Sequence, residues 1–220
     1  MDDEQPRIAI LGAGPIGLEA ALYARYLGYP TEILERNKQP ASSVLVHDGQ
    51  LGNYRELVSA LGVAALKAQD EVWKPLAGST LLTGREWHRA YLLPLAQSDL
   101  IADVLYLGTE VASIDRRDED DNVSFQIHCR DAEGNEIVHQ ADIVIDAAGN
   151  EGSRDWFSAA DEQSELTFLN PDADYYILGS KSRPEKPFRF AEGLEQIREL
   201  FAILGERDDL DVYATLPPVE

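Results

Sequence analysis

Gly12-Ala13-Gly14-Pro15-Ile16-Gly17 stands between a short apolar run, Arg7 to Leu11, and an apolar-periodic stretch beginning at Ile16. A GxGxxG pattern alone says little. Between a strand and a helix it is a structural instruction. The first glycine permits a tight turn, the second lets a diphosphate approach the backbone, and the third lets helix and strand pack closely. Ile16, Leu18, Ala20, Ala21, Leu22, Ala24 and Leu27 read as a helix, and Gly28 as its stop. Thr31 to Leu34 reads as a second strand, which completes a βαβ unit. Glu35 follows it, 23 residues after Gly12, where an acid can accept from ribose hydroxyls. The helix opening then offers unpaired N–H groups and a positive dipole end to phosphates. These features predict a dinucleotide site. The plainer alternative is a tight glycine turn beside a solvated Glu35.

Other function classes are disfavoured. The chain carries 40 acidic and 19 basic side chains, a formal net charge of -21, which repels nucleic acid and anionic lipid. The acids are scattered, so the charge reads as solubility. Cys129 is the single cysteine, so no internal disulfide and no CxxC pair can form. No zinc spacing or other metal motif is seen, and no apolar run approaches the roughly 20 residues that span a bilayer. A soluble, cytoplasmic protein is expected.

Further along, Leu51 to Ala68 reads as mainly helical and Trp73 to Thr83 as irregular. Arg85 to Leu100 reads as a helix that Pro94 must kink or split. Strands follow at Val104 to Leu107, Glu110 to Asp115, Val123 to Arg130 and Glu136 to Gln140, with a hairpin turn at Glu133-Gly134-Asn135. Ala141 to Ile145 is a fully apolar strand, Tyr175 to Leu178 a short one, Ser180 to Phe188 a loop, and Gly193 to Leu204 an amphipathic helix.

Several stretches resemble the flavin-dependent oxidoreductases with two dinucleotide-binding domains, which include flavin-containing monooxygenases and thioredoxin-reductase-like proteins. Gly12 to Ala21 (GAGPIGLEAA) resembles their FAD turn, and Gly108 to Ile114 (GTEVASI) the strand whose backbone meets adenine. Ala141 to Gly149 (ADIVIDAAG) resembles a second strand and turn that usually ends Ala-Thr-Gly; Ala148 replaces the threonine. Tyr175 to Lys181 and Gly193 to Phe201 resemble the closing strand and helix near the flavin ring, and Tyr91 to Ala96 a segment of monooxygenase-like members.

The resemblance implies an α/β fold: a Rossmann-like FAD-binding domain, its parallel sheet flanked by helices, with a three-stranded antiparallel β-meander. It implies FAD as cofactor, held by Gly12, Ala13, Gly14, Pro15, Ile16, Gly17, Glu35 and Arg36. Val111 would flank adenine, Ala148, Gly149 and Gly179 would lie near the cofactor chain, and amides near Gly193 and Leu194 would meet the pyrimidine end of the ring.

One departure matters. The family inserts a second βαβ domain for NADPH, but only 25 residues separate Gly149 from Tyr175, too few for one. The expected organisation is one domain over residues 1–220: a part at 7–149, a linker at 150–174 in place of the NAD(P)H domain, and a closing strand and helix at 175–205. Electrons would come from substrate, an external reductase or diffusing NAD(P)H. Three readings stay open: a flavin oxidoreductase, possessing monooxygenase-like features; a non-catalytic FAD or nucleotide-binding module; and an NAD-dependent dehydrogenase. The catalytic residues, the substrate and the oligomeric state stay unassigned. His47 and Asp48 form a loop pair that could serve as a base but reads as surface; Lys181 reads as solvated, His88 as structural, His128 and His139 as outward-facing, and Cys129 as core. Trp73, Trp87 and Trp156 read as packing residues.

Overall fold

The computed structural model describes residues 5–119, 122–149, 174–182 and 188–219. The 150–173 stretch, with Trp156, lies outside them. Strand β1 (Ile8–Leu11) leads through the glycine turn into helix α1 (Pro15–Tyr26) and back into β2 (Thr31–Glu35). The two strands pair in parallel, from Ile8 opposite Thr31 to Leu11 opposite Leu34. A small antiparallel pair follows, β3 (Gln50–Asn53) and β4 (Leu81–Thr83), with α2 (Ala60–Gln69) between them. The next helical rod runs as α3 (Gly84–Trp87), a π turn (His88–Leu92) and α4 (Leu93–Ala96). Strand β5 (Leu105–Leu107) pairs with β2. The meander is β6 (Glu110–Glu119), β7 (Asn122–Arg130) and β8 (Glu136–Ala141). Strands β9 (Ile143–Asp146) and β10 (Tyr175–Ile177) and helix α5 (Phe190–Leu204) complete the domain.

The main sheet is parallel throughout, in the order β10-β9-β1-β2-β5. Its central strands β1 and β9 are buried along their whole length because both faces are covered. Ile8, Ile10, Ile33, Ile143 and Ile145 point into a core shared with the helices. The alternate residues Ala9, Leu11, Leu34 and Val144 point the other way, onto Val111, Ile114, Phe125, Ile127 and Cys129 of the meander. Period-two alternation thus sorts one strand set into two cores. Each buried isoleucine contributes about 1.5–3 kcal/mol relative to exposure. The chain leaves β1 for β2 on one side and meets β9 on the other. A crevice opens at such a switch point, at the carboxy ends of the strands.

Pro94 is accommodated without a break. It lacks an N–H, and its ring would crowd the carbonyl four residues back. The helix widens into a π turn just before it, and the Leu93 N–H donates to the His88 carbonyl, five residues back.

Several boundaries differ from the sequence reading. Leu51 to Ala68 is not one helix: β3 and a 3-10 turn (Tyr54–Glu56) come first, because Asn53 and Glu56 form a capping box. α2 starts only after Ser59, whose Oγ accepts the Gly62 N–H at 2.8 Å. β6 runs past Asp115 to Glu119, since cross-strand pairing continues to the tip. Ala141 closes β8, and β9 starts at Ile143. α5 opens at Phe190, three residues before Gly193, where Glu192 folds back to accept the Arg189 backbone N–H at 3.4 Å.

Candidate functional site

The glycine turn sits at the carboxy end of β1, and each of its glycines has a separate cause. Gly12 has φ +93°, and a β-carbon there would lie 2.8 Å from Ala148 Cα. A β-carbon on Gly17 would lie 2.0 Å from the Gly12 carbonyl oxygen, so helix and turn touch backbone to backbone. Gly14 is different. Its φ is -71°, which any residue adopts, and nothing among the described residues lies within 4 Å of where its β-carbon would be. Neither backbone conformation nor packing among the described residues asks for glycine there. A diphosphate resting on the backbone would.

Helix α1 opens at that spot. Its N-cap, Gly14, supplies no side-chain cap, Pro15 takes the first turn, and no acidic residue lies in that turn. Pro15 removes one N–H that would go unpaired in any case. The positive end of the helix therefore faces the open side of Gly14, with no acidic residue of its own first turn to offset it.

Glu35 ends β2 and is buried. Its Oε2 accepts the Ala13 N–H at 2.8 Å, and its Oε1 accepts from the Asn37 backbone N–H at 2.7 Å and the Asn37 side-chain amide at 2.8 Å. The solvated-acid alternative fails on this geometry. A carboxylate offers about four lone-pair sites, so roughly one remains on Oε2 for a ligand hydroxyl. Arg36, next in the chain, is exposed. The following loop folds back over the turn, with the Ala41 N–H donating to the Ala13 carbonyl at 2.8 Å.

The other sequence-derived positions fall into two groups. Ala148, Gly179 and Gly193 converge on the turn, and Gly149 lies beside Ser180. Ala148 abuts Gly12; β-carbons on Gly179 and Gly193 would meet Ile16 at 3.6 Å and 2.2 Å; one on Gly149 would lie 3.7 Å from Ser180 Oγ. Gly193 lies one turn inside α5, so the helix opening expected beside it belongs instead to Phe190. Its missing side chain makes room for Ile16. Val111 stands apart: its side chain is buried among the meander residues, opposite Cys129. Its strand is nevertheless tied to the acid, because the Thr109 N–H donates to the Glu35 carbonyl at 2.8 Å and the Gly108 N–H to the Asn37 carbonyl at 3.0 Å.

Lys181 corrects the reading of a solvated loop lysine. It is buried, and its Nζ lies 2.6 Å from Oδ2 of Asp146, which is fully buried at the end of β9. The same oxygen accepts from Tyr175 Oη at 3.2 Å, while Asp146 Oδ1 accepts the Ala148 N–H at 3.1 Å. The pair thus joins the turns after β9 and β10. Gln196 of α5 clamps the second turn, accepting the Gly179 N–H at 2.9 Å and donating to Ser182 Oγ at 2.7 Å. Asp146 went unnoticed in the sequence as the tail of an apolar strand.

His47 and Asp48 are exposed. His88 is buried, with Nε2 3.1 Å from the Pro40 carbonyl, a structural contact. His128 lies 3.0 Å from Asp115 on the exposed side of the meander. His139 does not face outward: its Nδ1 lies 2.6 Å from Glu32 Oε2 and its ring packs edge-on to Tyr106, tying the meander to the main sheet. Cys129 is buried, and burial pushes its thiol up to about 12, with Glu32 adding to the rise. Trp87 is buried edge-on against Phe190, and Trp73 is half-buried against the helical core. Among the described residues no group of three or more His, Cys, Asp or Glu could hold a metal, and no helix is long and apolar enough to cross a membrane.

No family model matches the chain, and no curated protein matches it. Solved structures do. The bacillithiol disulfide reductase of Bacillus cereus superposes with a TM-score of 0.51 at 14% identity, over 80% of this chain and 48% of that one. Cyclohexanone monooxygenase with bound epsilon-caprolactone gives a TM-score of 0.50 at 22% identity, over 66% of this chain and 27% of that one. OTEMO in complex with FAD and NADP gives 0.46 at 20% identity, over 64% of this chain and 25% of that one. The chain thus spans between a quarter and a half of the length of these proteins. At such identities the first two likenesses speak for the fold: a Rossmann-like α/β domain with a parallel five-stranded sheet, flanking helices and a three-stranded antiparallel meander.

Proposed function

We propose that this chain binds FAD in an extended form across the carboxy edge of its parallel sheet and belongs to a flavin-dependent oxidoreductase. The observation that carries the reading is Gly14, a glycine required by neither conformation nor packing among the described residues, at the uncapped opening of α1. The amides there would hold the diphosphate. Glu35 would accept one ribose hydroxyl on its remaining lone pair, beside Arg36. The strand of Val111, tied to Glu35 through Thr109, would flank adenine. Ala148 and Gly179, which touch the turn, and Gly149 beside Ser180 would border the rest of the cofactor, and Gly193 would let α5 close on Ile16.

Bound flavin supplies the redox chemistry, and the protein supplies position and a shaped pocket. Only 25 residues separate Gly149 from Tyr175, so the reducing equivalents would come from outside this domain: an external reductase, diffusing NAD(P)H or the substrate. The resemblance supports a monooxygenase-like activity.

The test is a set of fluorescence titrations with FAD and a thermal-shift series with NAD+. Quenching of FAD by the wild-type chain, lost in Gly14→Val, supports the reading. Stabilisation by NAD+ with no response to FAD overturns it in favour of a dehydrogenase. If FAD binds but anaerobic NADPH, a reductase and a substrate panel all fail to bleach it, the chain is a binding module.

A further inference from the structure

One titratable group in the helical core has no part in the site above. Glu19 lies in α1 with its side chain fully buried. Its Oε1 accepts from Tyr91 Oη, on the π turn. That phenol oxygen also accepts the Ser59 N–H at 3.2 Å and lies 3.2 Å from Ser59 Oγ. A β-carbon on Gly62 would lie 1.8 Å from Tyr91 Oη, so α2 is shaped around the phenol. Glu19 Oε2 and Tyr213 Oη are both buried with no partner among the described residues.

The described groups that act on it are hydroxyls: Tyr91 from the π turn, Ser59 at the N-cap of α2 and Tyr213 from the carboxy-terminal segment, which packs edge-on to Tyr23 of α1. Asp211 and Arg198 act on Tyr23, and Asp211 also on Tyr213. Burial pushes the Glu19 carboxyl from 4.5 up to about 7, against the lowering effect of the Tyr91 and Ser59 hydrogen bonds. Ser59 and Tyr213 also line a cleft of about 390 Å³ between the start of α2 and α5.

We propose that Glu19 is a proton switch for the nucleotide turn: neutral, it permits an anionic diphosphate at the opening of α1, and ionised, it opposes one. The proposal rests on the functional reading above. Glu19 stands three residues beyond Ile16, about 4.5 Å along the helix axis. A charge buried there would act on a diphosphate at the helix opening through protein that screens it poorly. The linkage is reciprocal, so bound diphosphate also holds the proton on Glu19.

The sign for the fold follows. The carboxyl holds its proton more tightly folded than unfolded. The resulting stability is full below about 4.5, falls as pH rises, and is gone above the folded value of about 7.

The test is FAD titration of the whole chain from about pH 5.5 to about pH 8.5, with infrared spectra of the same samples. Wild-type affinity should fall about tenfold over that range. Glu19→Gln, which keeps an acceptor for Tyr91 and offers an amide to Tyr213, should change by less than about twofold. Tyr91→Phe, which removes a bond favouring the charged form, should move the midpoint upward. The wild-type spectrum should show a protonated-carboxyl C=O band at the acid end that fades at the alkaline end and is absent in Glu19→Gln. An equal pH slope in Glu19→Gln overturns the proposal, as does the absence of the band at the acid end. If FAD binds at no pH the coupling falls, and a band that still titrates traces that failure to the functional reading rather than to Glu19.

Discussion

Lys181 and Asp146 are 35 residues apart in the chain and 2.6 Å apart in space, both buried, at the carboxy ends of neighbouring strands. Removing one partner leaves the other charge buried without its counter-ion, which costs about 3–5 kcal/mol. Lys181→Met and Asp146→Asn should each lower the unfolding free energy measured in urea by that amount, and the double substitution should cost clearly less than the sum. Single substitutions within about 1 kcal/mol of wild type would show that the pair is solvated in solution.

Gly14 and Gly17 separate binding from folding. A methyl on Gly17 meets the Gly12 carbonyl oxygen at 2.0 Å, and backbone cannot yield as a side chain can. Gly17→Ala should therefore destabilise by about 3 kcal/mol or prevent folding. Gly14→Ala meets nothing, so its melting temperature should stay near wild type while affinity for FAD falls at least tenfold. Equal effects of the two substitutions on stability would remove the reason for assigning Gly14 to a ligand.

Glu35 holds three donors. Glu35→Gln places an amide NH2 against one of those N–H groups, and Glu35→Ala leaves the buried Ala13 N–H without an acceptor. Each should cost about 1–3 kcal/mol in chemical denaturation. Each should also weaken FAD binding in the titration. An Ala substitution that leaves both stability and affinity unchanged is incompatible with this geometry.

Cys129 should be inert. Burial raises its thiol to about 12, so thiolate is scarce at neutral pH. A thiol reagent such as dithionitrobenzoate should give no colour with folded protein and one equivalent in urea. Rapid labelling of the folded chain would mean that the meander opens readily.

What the sequence reveals here is largely what is local. The glycine turn, the β1–α1–β2 unit and Glu35 lie within a contiguous stretch, where strand period, turn chemistry and helix opening reinforce one another. Pro94 announces an irregularity, although only the helix itself shows that it is resolved as a π turn. Long-range pairing escapes the same reasoning. Lys181, between Ser180 and Ser182, carries no local sign of Asp146. His139 had a usable signal, because Ile137, His139 and Ala141 alternate onto the less exposed face of β8. Glu19 had one too: Tyr23 lies four residues on along the same buried face of α1. The start of α5 is hidden in the sequence because Arg189 is an unusual N-cap residue, recognisable only once Glu192 folds back onto it.

The most direct measurement is the visible spectrum of the chain purified without added cofactor, followed by addition of FAD and removal of the excess. The account predicts a yellow protein with bound-flavin absorbance, retained on gel filtration and lost in Gly14→Val. A colourless protein that releases all added FAD while remaining folded would contradict it.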